Sequence, residues 1–320
     1  MNILLIGHQG YIGSGLHYYF QQHQTVVGWG RKDNLFSLTR RDLIRRKIDA
    51  IVNCAVITDR TAGPYDALSP THRINVEGAR HLANVLRGTK IGWVQISTKD
   101  VFGPVYDKNS VIERRMKYVP KFLVDEVQPF EPVTLYAKSK LMSEFISQSH
   151  PLSSVVRLSS CYSDFDHHRG NWMVNLIRAS INRSPITLSH NGKQFRDPLH
   201  TDDLGRLVER IIEKKLYGES FNAGGGSQNL VSILEFLDII GSRSQIKKIP
   251  GTDFGFAFDI QKANRLAGWS PYILLKDRLL LLIENIRNRI TAEKYAIISS
   301  DRQKIKGPSP KGRGVGVRAQ

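Results

Sequence analysis

Cysteine is scarce: there are two in 320 residues, Cys54 and Cys161, far apart and outside any C-x-x-C pair. That spacing excludes a disulfide framework and a zinc knuckle, so no metal site is expected. A reducing, cytoplasmic compartment fits best. Long apolar runs are missing too. The opening run NILLIG is short and lacks the basic flank of a secretory signal, and YILLKDRLLLLIENI is broken by charges well short of a membrane span. No membrane insertion is expected. Acids are also in deficit, 29 against 46 Lys and Arg, for a formal net charge of +17.

Such a surplus raises the question of nucleic acid, and its distribution answers against it. Residues 301–320 hold six Lys/Arg and one acid in a Gly- and Pro-rich stretch without apolar period, so residues 291–320 are expected to be a basic, disordered tail. The remaining excess lies in patches such as RRDLIRR and ERRMKYVPK, with neither aromatic interleaving nor a recognition-helix pattern. A solvated basic surface is the simpler reading. It would also welcome a nucleotide diphosphate.

What is present is an alternation. NILLIG, TVVGWG, AIVNCAV, GWVQIS and SSVVRLSS read as short apolar strands, each separated from the next by enough chain for a crossover helix. This predicts an α/β fold with a doubly wound parallel sheet of the Rossmann type. Residues 1–158 are expected to form mainly a dinucleotide-binding domain. Residues 159–290, where the pattern loosens, are expected to form mainly a smaller α/β substrate lobe, with some sheet elements returning to the first domain.

Two motifs carry chemistry. Gly7, Gly10 and Gly13 follow the first strand as G-x-x-G-x-x-G and lead into an apolar helix pattern. Glycines there let the backbone approach a pyrophosphate, which the following helix N-terminus favours. Second, Tyr136 and Lys140 in LYAKSK share one helix face, and an ammonium beside a phenol favours the phenolate, so the Tyr136 pKa is expected to be lowered. Ser97 and Thr98 end the fourth strand, with hydroxyls at the crevice where parallel sheets bind ligands. The plain alternative for a Tyr-x-x-x-Lys is a surface pair. DHHRG, with His167 and His168, lacks ligand spacing and reads as a substrate-lobe loop.

GHQGYIG, VNCAV, INVEG, ISTKDVFG and YAKSK, with FRDPLHTDDL, FNAGGG and KANRLAGWSP further on, resemble the extended short-chain dehydrogenases/reductases of the NAD-dependent epimerase/dehydratase family. The resemblance runs from Met1 to about Arg289. It implies Tyr136 as catalytic base, Lys140 on the nicotinamide ribose, and Thr98 on the reacting hydroxyl. It also implies cofactor contacts from Gly7, Gly10, Tyr11, Ile12, Gly13, Cys54, Ala55, Asn75 and Ser97, a nucleotide-diphosphate sugar as substrate, and a homodimer. Arg196 has two readings, a diphosphate clamp or an interdomain ion pair with Asp202 or Asp203. His200 is a substrate-binding candidate beside the plainer reading of a packed histidine.

The chain also departs from the family pattern. Arg31 follows the second strand where an acid usually meets the ribose 2′-hydroxyl, which leaves NAD and NADP both open. The segment between the second and third strands is short, and RLSSCYSD replaces the usual Arg-Pro-x-Asn run. Lys99 and Asp100 stand where dehydratases place an Asp-Glu pair. The expectation is an NAD(P)-dependent epimerase acting through a keto sugar. An NADPH-dependent keto-sugar reductase, a dehydratase, and a non-catalytic dinucleotide- or RNA-binding relative are the alternatives.

Overall fold

The run NILLI has no polar face, and in the computed structural model it forms β1 (Asn2–Ile6) inside a six-stranded sheet. The structure describes residues 1–165 and 171–305, with side chains through residue 293. The segment with His167 and His168, and residues 306–320 of the tail, lie outside the described residues. The other strands are β2 (Thr25–Trp29), β3 (Ala50–Asn53), β4 (Gly92–Thr98), β5 (Ser153–Leu158) and β6 (Ser220–Ala223). All pairings are parallel, in the order β6-β5-β4-β3-β1-β2.

Alternate side chains of β1 enter two cores. Ile3 and Leu5 pack with Leu16 and Phe20 of α1 (Tyr11–His23), while Leu4 and Ile6 pack with Leu43, Leu82 and Trp93 on the other face. Each such buried side chain contributes about 2 kcal/mol. Because both faces are covered, the strands read as continuous apolar runs. α2 (Gly78–Leu86) lies on the second face, with α3 (Leu135–Gln148) packed beside it.

The chain between β2 and β3 forms only two 3-10 turns, Arg31–Asp33 and Leu35–Ser37, and a six-residue helix, Arg40–Arg45. Among the described residues no strand lies beyond β2, which is therefore an edge. Strand order reverses between β1 and β3, so the crevice at their carboxyl ends is where a ligand is favoured.

Beyond Leu158, α4 (Trp172–Ile181) packs Met173, Val174 and Ile177 against Leu282 and Ile286 of α6 (Leu275–Ile305). Between them in sequence, α5 (Thr201–Glu213) returns to the sheet beside α1. Phe102, Tyr106, Phe195, Phe256 and Phe258 make a separate aromatic cluster. The basic patch ERRMKYVPK falls in a hairpin, Val111–Glu113 against Tyr118–Pro120. Residues 291–305, expected as part of the tail, are helical instead: α6 continues to Ile305, and this stretch contains no Gly or Pro. Among the described residues no helix is long and apolar enough to cross a membrane.

Candidate active site

At the end of β1 the chain turns sharply, and the three glycines act differently. Gly7 has φ 77, a left-handed conformation, and a Cβ there would stand 2.8 Å from the Ala55 nitrogen. Gly10 is the N-cap of α1 without a side-chain cap, leaving helix N–H groups open toward the crevice. A Cβ on Gly13 would stand 2.1 Å from the Gly7 carbonyl oxygen. Gly13 thus permits the turn from inside, and it is absent from the cavity wall that Gly7, Gly10, Tyr11 and Ile12 help to form.

That cavity, of about 910 Å³, spans the carboxyl ends of β2, β1, β3 and β4. Arg31, Cys54, Ala55, Ser97, Thr98, Tyr136, Lys140 and Arg196 all line it. Arg31 is exposed, and beside it the Asp33 carboxylate accepts the Gly30 N–H at 2.7 Å. Burial pushes the Cys54 thiol up to about 12, which makes it a poor nucleophile. The Ser97 hydroxyl turns away to donate to Glu144, whose carboxylate is paired with buried Arg157 at 2.8 Å.

Thr134 caps α3 by accepting the Ala137 N–H, which sets the register that places Tyr136 and Lys140 one turn apart, both buried. The Tyr136 phenol and Thr98 line the same cavity, and Thr98 acts to lower the pKa of the phenol. Lys140 Nζ donates to the Ile96 carbonyl at 2.5 Å. Burial, then the charge of Asp100, raise the Tyr136 pKa above its ordinary value, with Thr98 and Arg60 pulling the other way. The expected lowering by Lys140 is therefore corrected: the ammonium is spent on the β4 backbone, and desolvation dominates. Burial lowers Lys140 to about 8, against the opposing charges of Glu144 and Cys54.

Three further expectations change. Asn75 does not line the cavity; it sits in a π-helical turn, Arg73–Glu77, and brackets Ile57, accepting its N–H at 2.8 Å and donating to its carbonyl at 2.9 Å. It holds the loop that lines the cavity. His200 does not line the cavity: it is buried, its Nδ1 accepts the Asp202 N–H as the N-cap of α5, and its Nε2 meets Asp164 at 3.2 Å. Arg196 pairs with Asp253 at 2.5 Å at the cavity wall, whereas Asp203 is committed to Arg206 and to the Tyr272 and Ile273 N–H groups.

Sequence reasoning missed Arg60, Asn171 and Trp172, which also line the cavity. Asn171 donates to the Tyr11 hydroxyl at 2.6 Å and caps α4 by accepting the Met173 N–H at 2.9 Å. An Asn directly before an apolar helix was the available signal. Trp172 Nε1 donates to Ser160 at 2.8 Å.

The dTDP-glucose 4,6-dehydratase of Xanthomonas campestris pv. campestris (strain B100) is 24% identical over 291 residues, covering 80% of this chain and 79% of that protein. The UDP-glucuronic acid 4-epimerase from Bacillus cereus, solved with UDP-glucuronic acid and NAD, has a TM-score of 0.75 at 21% identity, covering 90% of this chain and 99% of its own. A dTDP-4-dehydrorhamnose reductase from Clostridium acetobutylicum has a TM-score of 0.72 at 19% identity, covering 90% of this chain and 100% of its own. These structures share the fold. The model of the NAD dependent epimerase/dehydratase family matches residues 3–224, from β1 through the glycine turn and the Tyr136 helix to the end of β6, and the chain belongs to that family.

Proposed function

We propose that the chain is an NAD(P)-dependent nucleotide-sugar epimerase working through a transient keto sugar. The observation that carries this reading is that Thr98, Tyr136 and Lys140 line one cavity with the glycine turn. The turn fits a dinucleotide, because side chains at Gly7 and Gly13 would close it. Gly7, Gly10, Tyr11 and Ile12 would hold the pyrophosphate at the α1 N-terminus, Arg31 the adenosine end, and Cys54, Ala55 and Ser97 the path between. When bound, oxidised nicotinamide supplies a hydride acceptor and a positive charge.

Thr98 and Tyr136 orient the sugar hydroxyl; burial keeps the phenol protonated in the cofactor-free chain, so Tyr136 would take the sugar proton, and later return it, once the positive charge of the bound cofactor favours its phenolate. Lys140, ionised at neutral pH, fixes the geometry from the β4 backbone. In this reading residues 1–158 and β6 hold the cofactor, and residues 159–290 supply most sugar contacts. Arg196 serves the sugar diphosphate. A cytoplasmic homodimer goes with it, paired through α2 and α3, where Phe145 is 58% exposed.

Elimination of water is disfavoured by Lys99 and Asp100, which form an ion pair at 2.9 Å. Burial alone would raise the Asp100 pKa, but Lys99, with Arg60 and Arg196, outweighs it and holds the carboxyl below its usual range. An ionised carboxylate tied to an ammonium is no proton donor for a leaving hydroxyl. A keto-sugar reductase remains the second reading, favoured by Arg31 at the adenosine end.

The test is incubation with NAD and a panel of UDP- and dTDP-sugars, with products read by mass spectrometry and NMR. An isobaric epimer is expected. A product lighter by one water at a comparable rate overturns the assignment, and stoichiometric consumption of NADPH with a keto sugar moves it to reductase.

A further inference from the structure

Tyr136, Lys140 and Glu144 recur at every fourth residue of α3, so they share one helix face, and Glu144 is the only acid in that helix. Glu144 is buried and does not line the cavity. Its carboxylate accepts the Ser97 hydroxyl and holds Arg157 through Nε at 3.1 Å and Nη2 at 2.8 Å. Arg157 stands opposite Ser97 in the β4–β5 register. Its guanidinium lies 4.9 Å from the centre of the Phe130 ring and 5.2 Å from that of Phe102, and its Nη1 is buried without a hydrogen-bond partner. Ser97 in turn sits between Ile96, whose carbonyl accepts Lys140 Nζ, and Thr98. One buried carboxylate thus grips the strand midway between the anchor of Lys140 and the Thr98 hydroxyl.

Stability alone does not explain the pair. With side chains only 4% and 1% exposed, desolvation of the two charges offsets most of their attraction. Its place explains more. The Lys140 ammonium is buried, has three N–H donors, and among the described residues no carboxylate pairs with it directly. The other titratable groups facing it are neutral: the Cys54 thiol beyond β3 and the Tyr136 phenol one turn earlier, both kept protonated by burial. We infer that Glu144, clamped by Arg157, is a positioning residue of the proton-transfer site: its carboxylate supplies the counter-charge for the Lys140 ammonium and fixes Ser97, and with it the strand end that carries Thr98. Burial favours loss of the Lys140 proton, and the charge of Glu144 is the largest influence against that loss. Arg157 holds the carboxylate ionised from the far side, where it also faces Glu126, which accepts the Asn222 N–H at 2.8 Å. Ion pairs enclosed in this way are little screened by water. The inference rests on the placing of Lys140 at the cofactor in the reading above.

Its test is fluorescence titration of the full chain with NADH, from about pH 6 to about pH 10. Wild-type affinity is expected to fall as pH rises past about 8, where the free chain gives up the Lys140 proton. Glu144→Gln keeps an acceptor for Ser97 but loses the charge, and is expected to move the midpoint of that fall down by about one pH unit. It also leaves Arg157 unpaired in the interior, so Glu144→Leu with Arg157→Leu is measured beside it. Apolar replacement of a whole buried pair is tolerated, and the midpoint is expected to move in the same direction by a smaller amount. An unmoved midpoint in the paired variant, or a uniform weakening at every pH, makes Glu144 a structural residue and overturns the inference while leaving Lys140 at the cofactor. A wild-type affinity that is flat with pH, or a fall that Lys140→Met leaves in place, overturns the placing of Lys140 and the inference with it.

Discussion

Lys140 Nζ donates to the Ile96 carbonyl at 2.5 Å, two residues before Thr98 on the same strand. Two groups of the proposed proton-transfer site are thereby referred to the end of β4, of which Thr98 is part and to whose backbone Lys140 is tied, and Tyr136, one helical turn from Lys140, lines the same cavity. Strand ends in a buried sheet are rigid, which suits a site whose atoms must be held to fractions of an ångström.

Tyr136→Phe removes the base but keeps the ring. Turnover is expected to fall by about three orders of magnitude, with cofactor affinity nearly intact, whereas Lys140→Met weakens both. Steady-state rates and fluorescence titration with the dinucleotide separate the two. Unchanged turnover in the Phe variant removes the central assignment.

Burial lowers Lys140 from 10.5 to about 8. Below pH 8 folded and unfolded chains both carry the ammonium, and the folded chain bears its full desolvation cost. Between pH 8 and 10.5 the unfolded chain binds more protons than the folded one, so stability rises with pH. In cofactor-free protein, wild type should therefore gain about 2–3 kcal/mol on Lys140→Met between roughly pH 7 and pH 10. Denaturant unfolding across that range measures it. A difference that stays flat shows that the amine is not desolvated.

Arg31→Ala tests cofactor choice. Loss of a guanidinium facing a 2′-phosphate is expected to weaken NADP binding by about tenfold, and NAD binding much less. Equal losses mean that Arg31 contacts adenine or solvent.

Gly13→Ala places a methyl group against the Gly7 carbonyl oxygen, with backbone on both sides. The turn and α1 must separate, at a cost of about 3 kcal/mol, and dinucleotide affinity falls with it. Chemical denaturation and titration give the two numbers. A neutral effect on both contradicts the close approach described.

His200→Ala deletes a helix cap and leaves Asp164 with one partner fewer, so stability is expected to drop by about 1–2 kcal/mol. Sugar KM is expected to hold, because the ring is buried against Asp164 and the Asp202 N–H. A large rise in KM with stability unaltered restores the substrate-binding reading.

Much of the scaffold could be read from residues alone, for physical reasons. β1 is covered on both faces, so NILLI shows one polar residue in five, and the glycine spacing reports a turn whose sterics are local. Tyr136 and Lys140 follow from helical period. Long-range facts were not legible. The spacing of Tyr136 and Lys140 says nothing of where Nζ points, and the Ile96 carbonyl lies 44 residues earlier. Arg196 meets Asp253 across 57 residues, and His200 as a cap is indistinguishable in sequence from His200 as a ligand. Arg60 carries no local signature at all, because only the bonding of its loop to the start of α3 brings it to this cavity.

The abbreviated connection after β2 has a consequence for handling the protein. With nothing paired outside Thr25–Trp29, one row of backbone donors and acceptors at this margin is open to another chain in the extended state. The strand is only five residues long, and Arg31 and Lys32 follow it after Gly30, so mutual repulsion guards the margin. Such repulsion fades as added salt shortens the screening length. Concentrated stocks should therefore keep best at low ionic strength, and precipitation on salting should begin with strand-to-strand pairing at this margin.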